Sequence, residues 1–537
     1  MTESAPGRYS DLVVVGGGPR ALYALADLDE ELARSSQLPA RPLRVTVLEP
    51  GVPGAGAVWD PSQPSHLMMN VDAAIVDATS PSVPWTYHQW SGGDEVTFPS
   101  RADVGRYLSW SFEHLCQSPR LEIIHWRARV TSVRRDGAGW VCETSTDHGR
   151  ASISERSARV LLATGHAGGI GLDHSALTDP TRGPAPSEPV VIHGAALTAF
   201  DVVMDLTVGR GGTWESNPDA PAGNRYVPSG MEPSKVTMVS RTGETMLPKP
   251  VTQSADLTQA VREETSRWER GATADDAWWE VLADAAIAAA KVSGVTVRRD
   301  ELWSRVGHAG SAQTRPDLRW HRDLARATGE VDEDPAWWWG RAWAAGYADV
   351  VRSLERAPRK NPLWSRWRTR AATLERWAFG PPLETFNRLV ALRDAGLLCV
   401  VRPADLNVED PACTIVNAYT RGPGVIAGDT LGDSAPTERV ADTEPWAGLL
   451  ADGLVSVRAG ERGVLTMPDG TCVDAQGDAV GGLASLGRPT EDPVIGHDSL
   501  QRRLHQDSRR WAVSTASDWT HEVDSTAERH ATVGANG

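Results

Sequence analysis

Five cysteines in 537 residues, at positions 116, 142, 399, 413 and 472, form no Cys-x-x-Cys pair. Such spacing excludes a redox dithiol and a cysteine-based zinc site, no other metal-ligand pattern stands out, and scattered thiols fit a reducing, cytoplasmic compartment. Basic residues are outnumbered: 54 Lys and Arg against 70 Asp and Glu leave a formal net charge of −16, which argues against a nucleic-acid partner. No uninterrupted apolar run approaches the ~18 residues of a membrane span, so no membrane partner is expected. The opening MTESAPGRYS lacks the charged-then-apolar pattern of a secretory signal. Phe and Tyr are scarce, at 5 and 7, whereas Trp reaches 22, with twelve between Trp268 and Trp377, so that stretch stands apart. At 40% hydrophobic and 23% charged, the rest is ordinary globular composition, enough for two or three domains.

What is present is concentrated near the start. The apolar residues Leu12 to Val15 predict a buried strand that runs into Gly16, Gly17 and Gly18. From Ala21, ALYALADLDEEL predicts a helix, with Leu22, Leu25 and Leu28 on one face. A strand that turns on glycines into a helix is a dinucleotide-binding turn. Gly16 permits the bend, Gly18 admits a pyrophosphate and Ala21 allows close helix–strand packing; Pro19 and Arg20 between them are further cofactor-binding candidates. The next strand, Arg44 to Leu48, ends in Glu49, placed to accept hydrogen bonds from ribose hydroxyls. The Gly- and Pro-rich loop that follows predicts a lining for a bound ring system, with Trp59, His66, Met69 and Asn70 as candidates. Ser100 to Gln117 predicts a helix capped by Ser100, with Arg101 beside the cap. Residues 121 to 164 predict a β-meander returning to the main sheet at Ala163-Thr164-Gly165-His166. Thr164 and Gly165 pass close to a ligand, and His166 is positional or catalytic.

A second strand–turn–helix is expected from Val190 through Gly194 to Thr198 and Val203. Only Gly194 is glycine there; Ala196 and Ala199 hold the other small positions. Residues 209 to 235 predict a loop insertion. The strand Val236 to Val239 leads to Arg241, where an arginine suits a 2′-phosphate and favours NADPH over NADH. Residues 256 to 377 predict a helical subdomain with a Trp core, with a substrate-pocket wall as the sharper alternative. After Gly380-Pro381-Pro382 come a helix, a strand and short strands and turns to residue 480. The strand Leu483 to Leu486 leads through Gly487 and Arg488 to a helix over 498 to 511, and the polar tail from Ser514 predicts disorder.

Together VVGGGPRA, LEPG with GAGAVWDP and HLMMN, FPSR with GRYL, ATGH, GAALTAFDV with VSRTG, AFGPP and LGRPTE resemble the FAD-NAD(P)-binding family of two-dinucleotide flavoproteins, in its actinobacterial branch. The family is distantly similar to the flavin-dependent N-hydroxylating monooxygenases. The resemblance covers nearly the whole chain and implies FAD on the first motif and NAD(P)H on the second. It matches Gly16, Gly18, Ala21, Glu49, Thr164, Gly165 and Gly487 to flavin-binding positions. Arg488 departs from it, standing where many flavoproteins place an acid. No Phe-x-Gly-x-x-x-His-x-x-x-Trp run of the Baeyer–Villiger type occurs.

The expected fold is α/β: two Rossmann-like dinucleotide-binding domains with a helical, Trp-rich insertion. The expected division is an FAD domain at 1–185 and 483–513, a nicotinamide domain at 186–256, a helical insertion at 257–380, further nicotinamide or substrate structure at 381–482, and a disordered tail at 514–537. The expected activity is an FAD- and NADPH-dependent oxidoreductase, foremost a monooxygenase hydroxylating a small amine or amino acid. A flavin dehydrogenase or reductase without oxygen transfer and a non-enzymatic redox sensor are the alternatives. No residue pattern singles out a catalytic side chain.

Overall fold

The computed structural model describes residues 9–35, 41–93, 97–145, 153–165, 172–241, 243–252, 254–307, 315–330, 333–360, 362–406, 413–419, 422–426 and 444–534, with side chains to 523. The chain divides into two compact units, one of residues 1–62, 73–170 and 421–537, the other of residues 63–72 and 171–420.

The first unit is built on an eight-stranded sheet. Its centre is Tyr9–Val15, which pairs in parallel with Leu43–Leu48 on one side and Ser154–Leu162 on the other. Leu121–Trp126 extends the sheet beyond Leu43–Leu48, and Ala479–Ser485 extends it beyond Ser154–Leu162. Strand order therefore reverses at Tyr9–Val15, and ligands bind at the carboxyl ends of strands beside such a reversal. Val13, Val15, Val160, Leu162 and Trp140 form one buried cluster on this sheet. Arg129–Asp136, Gly139–Ser145 and Ser154–Leu162 are the expected antiparallel meander. The helix Pro19–Arg34 is buried along Leu22, Leu25, Leu28 and Leu32, and Arg101–Leu115 is capped by Ser100 Oγ accepting from the Asp103 amide at 3.1 Å.

Three expectations need correction. The described residues of 421–482 fall in the first unit, not in the unit that holds residues 186–256. The helix expected over 498–511 starts only at Asp507, after a 3-10 turn at Arg502–Leu504. Residues 514–534, expected to be disordered, are helical, as part of the helix Asp507–Gly534. Its polar composition hides a face of Trp511, Ala512, Ala516 and Trp519, all buried, at helical spacing.

The second unit holds a four-stranded sheet in the order Leu398–Val401, Lys235–Val239, Pro189–His193, Thr414–Asn417, and every pair is parallel. Ile192, Val236, Met238 and Val400 join Phe200, Phe386 and Leu389 in its core. The stretch expected to be a loop insertion contains a hairpin, Thr213–Ser216 with Asn224–Val227, in which Trp214 and Tyr226 pack ring to ring at 4.8 Å.

The Trp-rich stretch is helical, as expected, with helices including Ala255–Thr265, Asp276–Val292, Pro335–Leu354 and Leu363–Ala378. Ser254, Asp275 and Asp334 cap the first three through their side chains. Trp268 stacks on Trp278 at 4.4 Å and Trp364 on Trp367 at 4.5 Å, and Trp279, Trp339, Trp343 and Trp377 are fully buried. Most of these indoles therefore build a core. Among the described residues, no helix is long and apolar enough to cross a membrane.

Candidate functional site

Each glycine of the first turn answers to a different constraint. Gly16 has φ 89°, and a Cβ there would lie 2.4 Å from the Ala163 carbonyl oxygen. A Cβ on Gly17 would lie 2.7 Å from Glu49 Cβ. The fold itself demands both glycines. Gly18 differs: its φ is an ordinary −75°, and a Cβ there would meet nothing in the chain nearer than Gly56 Cα, at 3.8 Å. Neither backbone conformation nor protein packing requires glycine at 18, which leaves the approach of a ligand as the physical reason for it. Gly18 is the N-cap of Pro19–Arg34, contributes no side-chain cap, and is followed by Pro19, which lacks an N–H in any case. The amides of the first helical turn and the positive end of the dipole are thus open to an anion.

Glu49 stands at the end of Leu43–Leu48 and is 8% exposed. Its carboxylate accepts from the Gly17 amide and from the Gly51 amide, each at 2.7 Å. Those bonds fix its orientation and tie the following loop to the glycine turn. A carboxylate offers about four acceptor positions, so two remain for ribose hydroxyls. The loop closes on the turn again where Gly54 N–H donates to the Gly17 carbonyl at 2.6 Å. Trp59 belongs to this unit, and its carbonyl oxygen lies where a Cβ on Gly105 would come within 1.8 Å.

On the other side of the central strand, Ala163 N–H donates to the Val15 carbonyl, and Trp446 Nε1–H donates to Thr164 Oγ1 at 3.1 Å. Gly165 has φ 69° with open space beside it. His166 lies outside the described residues. Gly487 has φ 87° and faces the Arg20 side chain, whose Cγ a Cβ would approach to 2.9 Å. Arg20 turns inward and donates to the Ser499 carbonyl at 2.9 Å, and burial holds its pKa below the usual arginine value. Ala21 is buried at the start of the helix.

The sequence does not advertise Glu491. It is 8% exposed and accepts from the Gly496 and His497 amides at 3.0 and 3.1 Å, and burial pushes its pKa up to about 7. Arg488, which replaces the expected acid, has Glu491 as a partner at 3.9 Å. An acid is thus present three positions later.

In the second unit Gly194 has φ 138°, and a Cβ there would meet the Ala418 carbonyl oxygen at 2.6 Å. Chain packing accounts for this glycine without a ligand. The helix Leu197–Leu206 starts from Ala196 with no side-chain cap, and Thr198 lies in its open first turn. Arg241 follows the strand Lys235–Val239 by two residues and is exposed, and no carboxylate among the described residues pairs with it. Its charge reaches Arg376, whose pKa burial, and then Arg241, lower. A surface ion pair, the bland explanation for Arg241, is absent among the described residues.

The other loop candidates fall in the second unit. Met69 is 1% exposed, so its side chain is packed, and Asn70 is half-buried. His66 Nε2 lies 2.7 Å from Asp205 Oδ1, and His174 Nδ1 lies 2.6 Å from Asp205 Oδ2. Asp205 is fully buried on the helix Leu197–Leu206, so it anchors residues 63–72 within this unit. The pairing of His66 with Asp205 across 139 residues leaves no local signal in the sequence. None of the five cysteines forms a disulfide, and no metal-binding cluster occurs among the described residues.

Residues 13–167 match the model of the FAD-NAD(P)-binding family. Among characterised proteins, the chain is 33% identical over 262 residues to the nitrosuccinic acid synthase of Aspergillus oryzae, a match covering 42% of this chain and 39% of that protein. It is 30% identical over 278 residues to the nitrosuccinate-forming L-aspartate N-monooxygenase of Streptomyces cremeus, covering 42% and 41%. The chain thus spans less than half the length of each relative. Among solved structures, it is similar to the ornithine N-hydroxylase of Kutzneria sp. 744 at 14% identity, with a TM-score of 0.46 over 95% of this chain and 99% of that one.

Proposed function

We propose that this chain, whose residues 13–167 match the model of the FAD-NAD(P)-binding family, is an FAD- and NADPH-dependent monooxygenase that hydroxylates the nitrogen of a small amine or amino acid. The carrying observation is Gly18, a glycine that neither backbone nor packing requires, at the open end of a 16-residue helix beside a strand-order reversal. A pyrophosphate fits that position.

In this reading the amides of Gly18, Arg20 and Ala21 hold the FAD pyrophosphate, and the helix dipole offsets its charge. Glu49, already oriented by two amides, takes the adenosine ribose hydroxyls on its remaining lone pairs. Thr164 and Gly165 form the strand end that lets the cofactor pass, and Gly487 keeps Arg20 against the helix start. Thr198 and the open first turn of Leu197–Leu206 receive the NADPH pyrophosphate, and Arg241 receives the 2′-phosphate by paired, charge-assisted hydrogen bonds. Bound FAD supplies electron acceptance from NADPH and the activation of O₂ that the side chains lack. The chain's own task is to bind, orient and exclude water. The names of the relatives make L-aspartate the first substrate to try. Five cysteines without a disulfide support a reducing, cytoplasmic compartment in this reading.

The test is a purified full-length chain assayed for bound FAD, then for NADPH oxidation with L-aspartate, other amino acids and short amines. Substrate-dependent NADPH oxidation yielding an N-oxygenated product is expected. NADPH oxidation that only releases hydrogen peroxide with every substrate would replace this reading by a reductase.

A further inference from the structure

The helical part of the second unit encloses a cavity of about 310 Å³. That volume lies at the small end of the roughly 300–1,000 Å³ typical of ligand pockets. Val251, Thr252, Trp337 and Trp338 contribute to its lining, together with Arg326 and Arg341, and the exposed Glu330 stands at its edge.

The two arginines differ. Arg326 is neutralised by Asp323 at 3.1 Å and Asp334 at 3.4 Å. Arg341 is 6% exposed, and no carboxylate among the described residues pairs with it. Its Nε and Nη2 are buried with no hydrogen-bond partner. Its guanidinium stacks over the Trp337 ring, 4.6 Å from the guanidinium carbon to the ring centre. Stacking on an indole satisfies the face of the guanidinium but none of its N–H groups. A buried cation is normally paired, because desolvation is costly. Here Arg341 lines a cavity. Burial alone lowers the Arg341 pKa to about 10. Lys249 is lowered to about 8 by burial and then by the Arg341 charge, so a second cation adds to the local positive potential.

We propose that this cavity binds a small aliphatic carboxylate, with the Arg341 fork taking the carboxylate oxygens and Trp337 and Trp338 flanking the aliphatic part. A guanidinium matches a carboxylate with two parallel N–H···O bonds, and a hydrocarbon tail suits the indole walls. The site belongs to the second unit and does not depend on flavin chemistry.

The test uses the full-length holoprotein in an anion-poor buffer, with succinate, butyrate, inorganic phosphate and n-butylamine as probes, followed by calorimetry and thermal unfolding. Saturable binding of succinate or butyrate that raises Tm is expected, with n-butylamine silent. Arg341→Met removes an unpaired buried charge with little change in volume. It should retain bound flavin, unfold at the same or a higher temperature without ligand, and bind the carboxylate about tenfold to a hundredfold more weakly. Should that variant fail to fold, Arg341→Lys keeps the charge, loses the fork and should weaken binding in the same direction. Carboxylate binding unchanged in the variant that folds, or absent from the wild type, would overturn the proposal. Binding of phosphate with both carboxylates silent would overturn the ligand class. Flavin content and NADPH oxidation are read separately, so a failure of the flavoprotein reading would not be mistaken for a failure here.

Discussion

Two glycines separated by one residue make opposite predictions. A side chain at Gly16 would collide with the Ala163 carbonyl at 2.4 Å and would sit at φ 89°, so Gly16→Val should yield little folded protein. Gly18 has open space and an ordinary φ, so Gly18→Val should fold, keep its far-ultraviolet circular dichroism, and emerge without flavin. A yellow Gly18→Val protein with full FAD content would place the cofactor elsewhere. Glu491 makes a pH prediction. Burial raises its pKa to about 7 in the folded state, from an ordinary value of 4.5. Between those values the native state holds a proton that the unfolded chain has released, so this residue's contribution to stability falls as pH rises from 4.5 to 7. Each pKa unit corresponds to about 1.4 kcal/mol. Glu491→Gln cannot ionise and keeps one acceptor oxygen, which serves one of the Gly496 and His497 amides. In urea unfolding, the stability of the variant relative to the wild type should therefore rise from pH 4.5 to pH 8. A difference between the two that stays flat over that range would mean that the carboxylate is ionised without cost.

Elements differ in how much of them the chain displays locally. The first strand, its glycine turn and the helix after it were legible because strand period, turn chemistry and helix period sit in one run of about 30 residues, the scale of a βαβ unit. The same holds for the cap of Arg101–Leu115, where Ser100 and Asp103 are three residues apart. The C-terminal helix was not legible, because its charged and hydroxyl residues outweigh one apolar stripe and its key partner is remote. Asp27, on the helix Pro19–Arg34, is 1% exposed and takes Arg502 Nη2 at 2.6 Å and Ser508 Oγ at 2.6 Å. Arg502 itself is 2% exposed. This pair joins elements separated by 475 residues, which no local window contains. Removing one partner leaves the other charge buried, at a cost of about 3–5 kcal/mol. Asp27→Ala should therefore destabilise the protein by that order in denaturant unfolding, whereas replacing both Asp27 and Arg502 with apolar residues should recover much of the loss. Equal losses in the single and double variants would show that the ion pair does not hold these helices together.

For the molecule as a whole, each unit has its own sheet and its own glycine turn, the first sheet mixed and the second all parallel, and the two turns are not equivalent. At the first turn a glycine is unexplained without a ligand; at the second, Gly194 is already explained by the Ala418 carbonyl, 2.6 Å from its would-be Cβ. The second unit's claim to a nicotinamide therefore rests more on charge than on glycine. The chain carries a net charge of −16, so an exposed arginine with no acidic partner among the described residues is a local exception to a surface that repels phosphates. Arg241 stands where a ribose-binding acid would select against a 2′-phosphate, and Arg376 adds a second positive charge nearby. A hydrogen bond to a charged group is worth about 1.5–3 kcal/mol, which corresponds to roughly tenfold to a hundredfold in affinity. The wild type should thus be reduced at lower concentrations of NADPH than of NADH. Arg241→Ala should raise the KM for NADPH by that factor, leave the KM for NADH nearly unchanged, and leave FAD content untouched, because the flavin turn lies in the other unit. Steady-state kinetics with both nucleotides, at several salt concentrations, separate the possibilities. A 2′-phosphate contact loses strength as salt rises, so the NADPH advantage should shrink in the wild type and be nearly flat in the variant. Parallel losses with both nucleotides would make Arg241 a structural residue, and a wild-type preference for NADH would remove the 2′-phosphate site.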